Sequence, residues 1–328
     1  MHVMIIGAAG MMGRKLALDI ARDAALAGRP VAQLSLVDVI TPEQPTDFNG
    51  KVVTRSGDIS RPETAREWLS SRPDVIFHLA AIVSGEAELE FEKGYAINLD
   101  GTRHLFDAIR EQGQSEPYKP RVVFTSSIAV FGAPFPDKID DEFFLTPRTS
   151  YGTQKAIGEL LLADYSRKGF LDGIGIRLPT VCIRPGRPNK AASGFFSNIL
   201  REPLVGREAV LPVEDDVRHW HVSPRRAVDF LTRAATIDLQ LVGHRRILNM
   251  PGLSATVAEQ IEALRRVAGD RAVNLIRRQT DPQIEEIVAG WPRDFDARRA
   301  LQLGFVADAS FDEIIRNHVE DELNGALA

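Results

Sequence analysis

The chain has 328 residues, 44% of them hydrophobic and 26% charged, with a formal net charge of -5; this is the composition of a globular protein long enough to build more than one core. The mild acidity and the scatter of the arginines exclude a general nucleic-acid binder, which needs a clustered basic surface. A single cysteine, Cys182, excludes an internal disulfide and fits a reducing cytoplasm. No stretch approaches ~18 uninterrupted apolar residues, so no membrane span is expected, and Gly7 breaks the apolar start too early for a secretory signal.

Residues 3–6 read as a buried strand. Gly7-Ala-Ala-Gly10-Met11-Met12-Gly13 follows directly and opens a helix expected over residues 12–27. In such a turn Gly7 permits the sharp bend, Gly10 lets a pyrophosphate approach the backbone, and Gly13 lets helix and strand pack closely. The helix start then offers free N–H groups and the positive end of its dipole to the phosphates. The second strand, residues 34–37, closes on Asp38. A carboxylate there accepts hydrogen bonds from the adenosine ribose and repels a 2′-phosphate, which favours NAD over NADP. Short apolar runs at Val52-Val53, 75–77 and 122–124 continue the series, with helical spacing between them, as over 102–110. Strands alternating with helices imply a parallel sheet covered on both faces, in a doubly wound α/β (Rossmann) fold.

Thr125-Ser126-Ser127 ends the strand at 122–124, so its hydroxyls fall at the carboxyl edge of the sheet, where a serine can hold a substrate oxygen. Tyr151-Gly-Thr-Gln-Lys155 then places a phenol and an ammonium one helical turn apart. A free phenol, with a pKa of ~10, is a poor base at neutral pH; lowering it by ~3 units takes ~4 kcal/mol of differential stabilisation. A lysine ammonium and an oxidised nicotinamide in a partly desolvated cleft supply charges of the right sign. The phenolate can then take a hydroxyl proton while hydride leaves the same carbon.

Past Ile176 the pattern loosens, and Pro179, Pro185, Pro188, Pro203 and Pro212 break the chain into short elements. Cys182 lies in an apolar run and reads as a buried structural thiol. Helical spacing returns at 227–235, 258–267 and Phe311–Leu323. The expected organisation is a cofactor domain over 1–178 with a return segment about 220–250. Residues 179–219 and 251–328 would form a smaller, mostly C-terminal substrate lobe that lids the strand ends.

Together these residues resemble the extended short-chain dehydrogenase/reductase family, also called the NAD-dependent epimerase/dehydratase family, along nearly the whole chain. The resemblance implies NAD as cofactor. It implies contacts from Gly7, Gly10, Met11, Met12 and Gly13, from Asp38, from Asp58 and Ile59 at the adenine, and from Leu79, Ala80 and Ala81 after a strand. Asn98, Tyr151, Lys155, Pro179 and Thr180 complete that set. It assigns catalysis to Tyr151, Lys155 and a serine, Ser127 by its spacing to Gly132, with Ser126 beside it. Arg218-His219-Trp220-His221-Val222 resembles a family segment that is structural or lines the substrate site, so the apparent metal pair His219 and His221 is expected to play one of those parts and no metal site is expected. Where the family's dehydratases carry an acid–base pair, this chain has Ile128 and Ala129, which transfer no protons.

Four segments carry a narrower resemblance: Ser84-Gly-Glu-Ala-Glu88, Ala191-Ala-Ser-Gly-Phe-Phe196, Arg201-Glu-Pro-Leu204 and Gly290-Trp-Pro-Arg-Asp-Phe295. They resemble a group within the family that oxidises the C2 hydroxyl of a four-carbon sugar acid, D-erythronate. The implied substrate contacts are Ser84, Ser127, Tyr151 and Thr180. A guanidinium from Arg187, Arg218 or Arg293 would bind the carboxylate. The family's habit of pairing through two helices implies a homodimer. A sugar-nucleotide 4-epimerase with tightly held NAD is the alternative enzyme reading. A non-catalytic NAD sensor is disfavoured by the presence of both Tyr151 and Lys155.

Overall fold

The computed structural model describes residues 1–186 and 193–327. The chain divides into two compact units. The first comprises Met1–Val130, Thr149–Arg177 and Val228–Leu248; the second comprises Phe131–Arg148, Leu178–Ala227 and Asn249–Ala328.

The first unit is built on a seven-stranded sheet. Its strands are β1 (His2–Ile6), β2 (Gln33–Asp38), β3 (Lys51–Ser56), β4 (Val75–His78), β5 (Arg121–Ser127), β6 (Asp172–Leu178) and β7 (Ile247–Asn249), in the order β7-β6-β5-β4-β1-β2-β3. The pairings from β3 through β5 are all parallel. The order reverses at β1, which makes the sheet doubly wound, with its ligand crevice at the carboxyl ends of β1 and its neighbours. Val3, Met4, Ile5 and Ile6 are all buried, as are Val122, Val123 and Phe124. Both faces of these inner strands are covered, so they read as continuous apolar runs rather than alternating ones.

The main helices are α1 (Met11–Asp23), α2 (Pro62–Leu69), α3 (Gly101–Ser115) and α4 (Ser150–Arg167). Phe106 and Ile109 of α3 and Leu162 of α4 share one core with Ile76, Val122 and Phe124 of the sheet. The helix expected to reach residue 27 stops at Asp23. Ala24 turns left-handed there (φ 46°) and caps α1. Ala25–Leu26 then pairs with Arg29–Pro30 across Ala27 (φ 45°) and Gly28 (φ 75°). Two central residues at positive φ are what a tight I′ hairpin requires. The apolar spacing ran on only because Leu26 is buried by the hairpin. A second departure is a π-helical segment, Tyr95–Asp100, immediately before α3.

In the second unit, Arg218–Val222 pairs in parallel with Thr180–Val181 and antiparallel with Leu253–Thr256. The helices Gly194–Leu204, Val257–Val273 and Phe311–Leu323 supply a core of Phe196, Ile199, Leu200, Leu264, Ile314 and Ile315. Val257–Val273 starts with a capping box, Thr256 with Glu259, and runs past residue 267 through a kink at Gly269 (φ 79°). Phe311–Leu323 is bounded by Ser310, whose hydroxyl accepts from Glu313 N, and by left-handed Asn324. Phe131–Arg148 joins this unit: Ile139 N donates to Asp294 O at 3.0 Å, and Asn249 Nδ2 donates to Asp140 O at 3.0 Å.

Candidate active site

The turn after β1 is shaped by close main-chain approach. At Gly7 (φ +93°) an added Cβ would lie 2.7 Å from Ala80 N and 2.9 Å from Leu79 C. At Gly13 it would collide with Gly7 O and lie 2.6 Å from Ala8 Cα. Gly7 thus brings the turn against Leu79 and Ala80, and Gly13 seats α1 on β1. Gly10 is the N-cap of α1, with no side-chain cap and no acidic residue in the first turn. The helix therefore begins with uncapped N–H groups at Met11, Met12 and Gly13, a cradle that suits a phosphate and that larger residues would fill.

Asp38, at the end of β2, is fixed beside this turn. Its Oδ2 accepts from Ala9 N at 2.8 Å and its Oδ1 from Val39 N at 2.7 Å. Each oxygen keeps a lone pair for a ribose hydroxyl. The next loop is tied to it, since Gly57 N donates to Asp38 O at 2.8 Å. Asp58 Oδ1 accepts from Ser60 N and Ser60 Oγ. Ile59 is buried against Gly101, which leaves its main chain as the part able to meet an adenine. These residues fit NAD.

Leu79, Ala80 and Ala81 follow β4 and are half-buried. Their position is governed by Asn98, in the π-helical segment. Asn98 Oδ1 accepts from Ile82 N at 2.9 Å, and Nδ2 donates to Ile82 O at 3.2 Å and to Gln154 Oε1 at 2.7 Å. Both donors are thereby used, so Asn98 shapes the turn after β4 through its main chain. Gln154 is fully buried and was not singled out by the sequence; its only signal was its place between Tyr151 and Lys155.

At the end of β5, successive side chains face opposite ways. Ser126 turns inward, donating to Glu159 Oε1 at 2.5 Å. That hydroxyl is committed inside the protein. Ser127 lies on the other face, half-buried, and its Oγ accepts from Ala129 N at 3.1 Å. That bond uses a lone pair and not the hydroxyl proton. Thr149 caps α4, accepting from Gly152 N at 3.1 Å, so Tyr151 sits in the first turn. Lys155 follows one turn on, 97% buried, and donates to Thr125 O at 2.8 Å. Its Nζ lies 5.7 Å from the Tyr151 ring centroid and 5.0 Å from that of Phe124. Burial pulls the Lys155 pKa down to about 8, and the Glu159 carboxylate opposes this. A lysine cation near the phenol favours phenolate. Ile128 and Ala129 lie in the short 3-10 turn that follows.

In the second unit, His219 links two segments. Its Nδ1 lies 2.9 Å from Pro292 O and its Nε2 lies 2.7 Å from Thr180 Oγ1. A carbonyl can only accept, so Nδ1 carries the proton and Nε2 accepts from the Thr180 hydroxyl. Pro179 beside it is buried. His221 bonds to Gln260 at 3.1 Å, and both imidazoles pack on Phe196. Among the described residues there is no group of three or more His, Cys, Asp or Glu able to hold a metal. Cys182 is buried, and its burial pushes the thiol up to about 12.

Of the three arginines expected at the substrate, Arg187 lies outside the described residues. Arg218 is engaged: its Nη1 donates to Ser254 O at 3.1 Å and lies 3.3 Å from Glu259 Oε2. Arg293 is exposed on a fixed main chain, since Pro292 O is held by His219 and Arg293 O accepts from Ser254 Oγ at 2.8 Å. Ser84 begins the helix Ser84–Leu89 in the first unit.

The buried histidines give the protein an acid limit. His78 Nε2 bonds to Thr102 Oγ1 at 2.9 Å, and burial together with nearby Lys155 pushes its pKa down to about 3. Burial lowers His219 to about 4 and His221 well below its usual value. All three are neutral when folded but take up protons near pH 6.5 when unfolded. Their stabilisation is therefore complete above about pH 6.5 and is lost as pH falls toward 4, by up to ~1.4 kcal/mol per pH unit for each group. Melting curves at pH 7.5 and pH 5.0, where ordinary carboxylates remain ionised, should show a marked drop in Tm; a flat Tm would contradict the burial of these rings.

Residues 3–232 match the family described as the NAD dependent epimerase/dehydratase family. A D-erythronate dehydrogenase of Cupriavidus necator is 47% identical over 325 residues, covering 98% of each chain. One from Haemophilus influenzae is 40% identical over 323 residues, covering 98% of this chain and all of its own. Among solved structures, one described as the nucleoside-diphosphate-sugar epimerase from Agrobacterium tumefaciens is 65% identical with a TM-score of 0.97, covering 100% of this chain and 96% of that one. L-threonine 3-dehydrogenase from Trypanosoma brucei, 23% identical over 97% of this chain and 96% of its own, shares the fold with a TM-score of 0.84.

Proposed function

The chain belongs to the NAD-dependent epimerase/dehydratase family, and within it we propose an NAD-dependent dehydrogenase that oxidises the C2 hydroxyl of D-erythronate to the 2-oxo acid. The observation that carries this reading is the near full-length identity to two D-erythronate dehydrogenases. Tyr151, Lys155 and Ser127 on adjoining elements give it a chemistry. Bound NAD supplies the hydride acceptor. Ser127 offers its hydroxyl proton to the substrate oxygen. Tyr151, as phenolate, takes the proton from that oxygen as the carbonyl forms, and Lys155 stabilises the phenolate beforehand. Gly7, Gly10, Met11, Met12 and Gly13 would hold the pyrophosphate. Asp38 would hold the ribose, Asp58 and Ile59 the adenine, and Leu79–Ala81 with Pro179 and Thr180 the nicotinamide side.

For the substrate carboxylate we propose Arg293 in preference to Arg218, which is already paired with Glu259; Ser84 and Thr180 are assigned to the remaining hydroxyls. Arg293→Ala should raise KM for D-erythronate at least tenfold, ~1.4 kcal/mol, with kcat changed little. An unchanged KM would remove Arg293 from the site.

The second reading, a sugar-nucleotide epimerase, is favoured by the description of the 65% identical structure. Such an enzyme retains NADH and returns the hydride to the other face, so free NADH separates the two. Among the described residues no helix is long and apolar enough to cross a membrane, and we place the protein in the cytoplasm on its one buried cysteine. Exposed Leu160 on α4, with Leu89 and Phe91 on neighbouring helices, supports a homodimer; light scattering giving the mass of one chain would exclude it.

A further inference from the structure

Tyr151, Lys155 and Glu159 recur every four residues on α4 and share one face. Glu159 is 98% buried, yet it is a carboxylate. Its Oε1 accepts from Ser126 Oγ at 2.5 Å and from Arg177 Nε at 2.9 Å, and its Oε2 accepts from Arg177 Nη2 at 2.8 Å. Ser126 belongs to β5 and Arg177 to β6. One carboxylate thus fastens the helix that carries Tyr151 and Lys155 to the strand that carries Thr125 and Ser127. A buried ion pair is on average no more stable than the apolar residues that could replace it, so stability alone does not account for this one. The residues flanking Ser126 both touch the reaction machinery: Thr125 O accepts from Lys155 Nζ, and Ser127 is the proposed substrate serine.

We infer that Glu159, held by Arg177, is a positioning residue that sets the β5 strand end against Lys155 and Tyr151. The inference rests on the dehydrogenase reading for the roles of Tyr151 and Lys155. The groups that face the Lys155 ammonium are Tyr151 and Glu159 from α4, neutral His78 from β4, and Thr125 O with the Phe124 ring from β5. Glu159 is the anion in this set. Without it, burial acts on Lys155 unopposed, and the ammonium gives up its proton at lower pH.

The test compares wild type, Glu159→Gln, and the double variant Glu159→Gln with Arg177→Met. The single variant takes the Glu159 carboxylate away from buried Arg177 and should lose Tm. The double variant also removes that buried charge and should regain much of it. Both should lose the alkaline part of the kcat/KM profile for D-erythronate. The basic limb should move down by about one pH unit, about a tenfold loss at a fixed pH on that limb, while KM for NAD stays within twofold. The same ionisation is read without substrate by 13C-lysine NMR titration of Lys155 Cε, assigned with Lys155→Arg. Its midpoint should fall in both variants. A double variant that regains Tm and shows the wild-type Lys155 midpoint would reduce Glu159 to a structural role. If no variant, wild type included, oxidised D-erythronate, the substrate reading would fail while the NMR midpoint still decided the role of Glu159.

Discussion

Tyr151→Phe should lower kcat for D-erythronate by ~10²–10⁴-fold while leaving KM and NAD affinity within a few-fold. The phenyl ring preserves the packing at the first turn of α4, and Thr149 continues to cap the helix. Lys155 keeps its bond to Thr125 O. Only the phenolic oxygen is lost, and with it the acceptor of the substrate proton. A general base acts in the transition state and contributes little to ground-state binding, so the loss belongs in kcat. Steady-state NADH formation with an independent NAD titration separates the two effects. Retention of a tenth or more of wild-type kcat would mean that another group takes the proton.

Gly13→Ala should both destabilise the protein and abolish useful NAD binding. In a helix, alanine is ordinarily favoured over glycine by ~1 kcal/mol. Here the added Cβ would collide with Gly7 O and lie 2.6 Å from Ala8 Cα, and both are main-chain atoms that no side-chain rotation can move. The start of α1 must lift from β1, at a cost of ~1–3 kcal/mol. The N–H groups proposed to hold the pyrophosphate move with it. The expected result is a lower Tm and NAD affinity weakened at least a hundredfold, ~2.7 kcal/mol. Gly10→Ala is the contrast: its Cβ meets nothing closer than Gly7 O at 3.3 Å. Loss of NAD affinity there at unchanged Tm would report ligand approach rather than packing. A Tm raised by Gly13→Ala would refute the close seat of α1 on β1.

The parts of the fold that were readable are those where local chemistry and tertiary position agree. β1 and β5 are apolar because both faces of the sheet are covered, and the glycine turn reads as a cofactor cradle because its glycines answer to main-chain approach. Phe311–Leu323 carries a signal at each end, Ser310 and Asn324. What escaped notice depends on partners distant in sequence. β6 includes Gly173 and Gly175, which break its apolar run; an added Cβ at either would press on Leu162 of α4, and at Gly175 on Ile247 of β7. The end of α1 was misjudged because a buried hairpin residue, Leu26, kept the helical spacing.

The site follows the same division. Tyr151 and Lys155, the proposed catalytic pair, are four residues apart and legible together from the sequence. The different settings of Ser126 and Ser127 come from strand alternation and from Glu159, a partner more than thirty residues away, and favour Ser127 in the proposed role. Arg218 looks like Arg293 in the sequence, and the partners that engage Arg218, Ser254 O and Glu259, are distant from it along the chain. His219 and His221 have the spacing of metal ligands, but both ring nitrogens of His219 go to Thr180 and Pro292, and His221 Nε2 goes to Gln260.

The most direct measurement is the amount of NADH released when catalytic protein meets excess NAD and limiting D-erythronate. A dehydrogenase turns over many times per chain and accumulates one NADH for each molecule of acid added. NADH that stops at one per chain and stays bound, with a nucleotide sugar interconverted instead, would contradict the dehydrogenase reading and assign the same tyrosine and lysine to an epimerase.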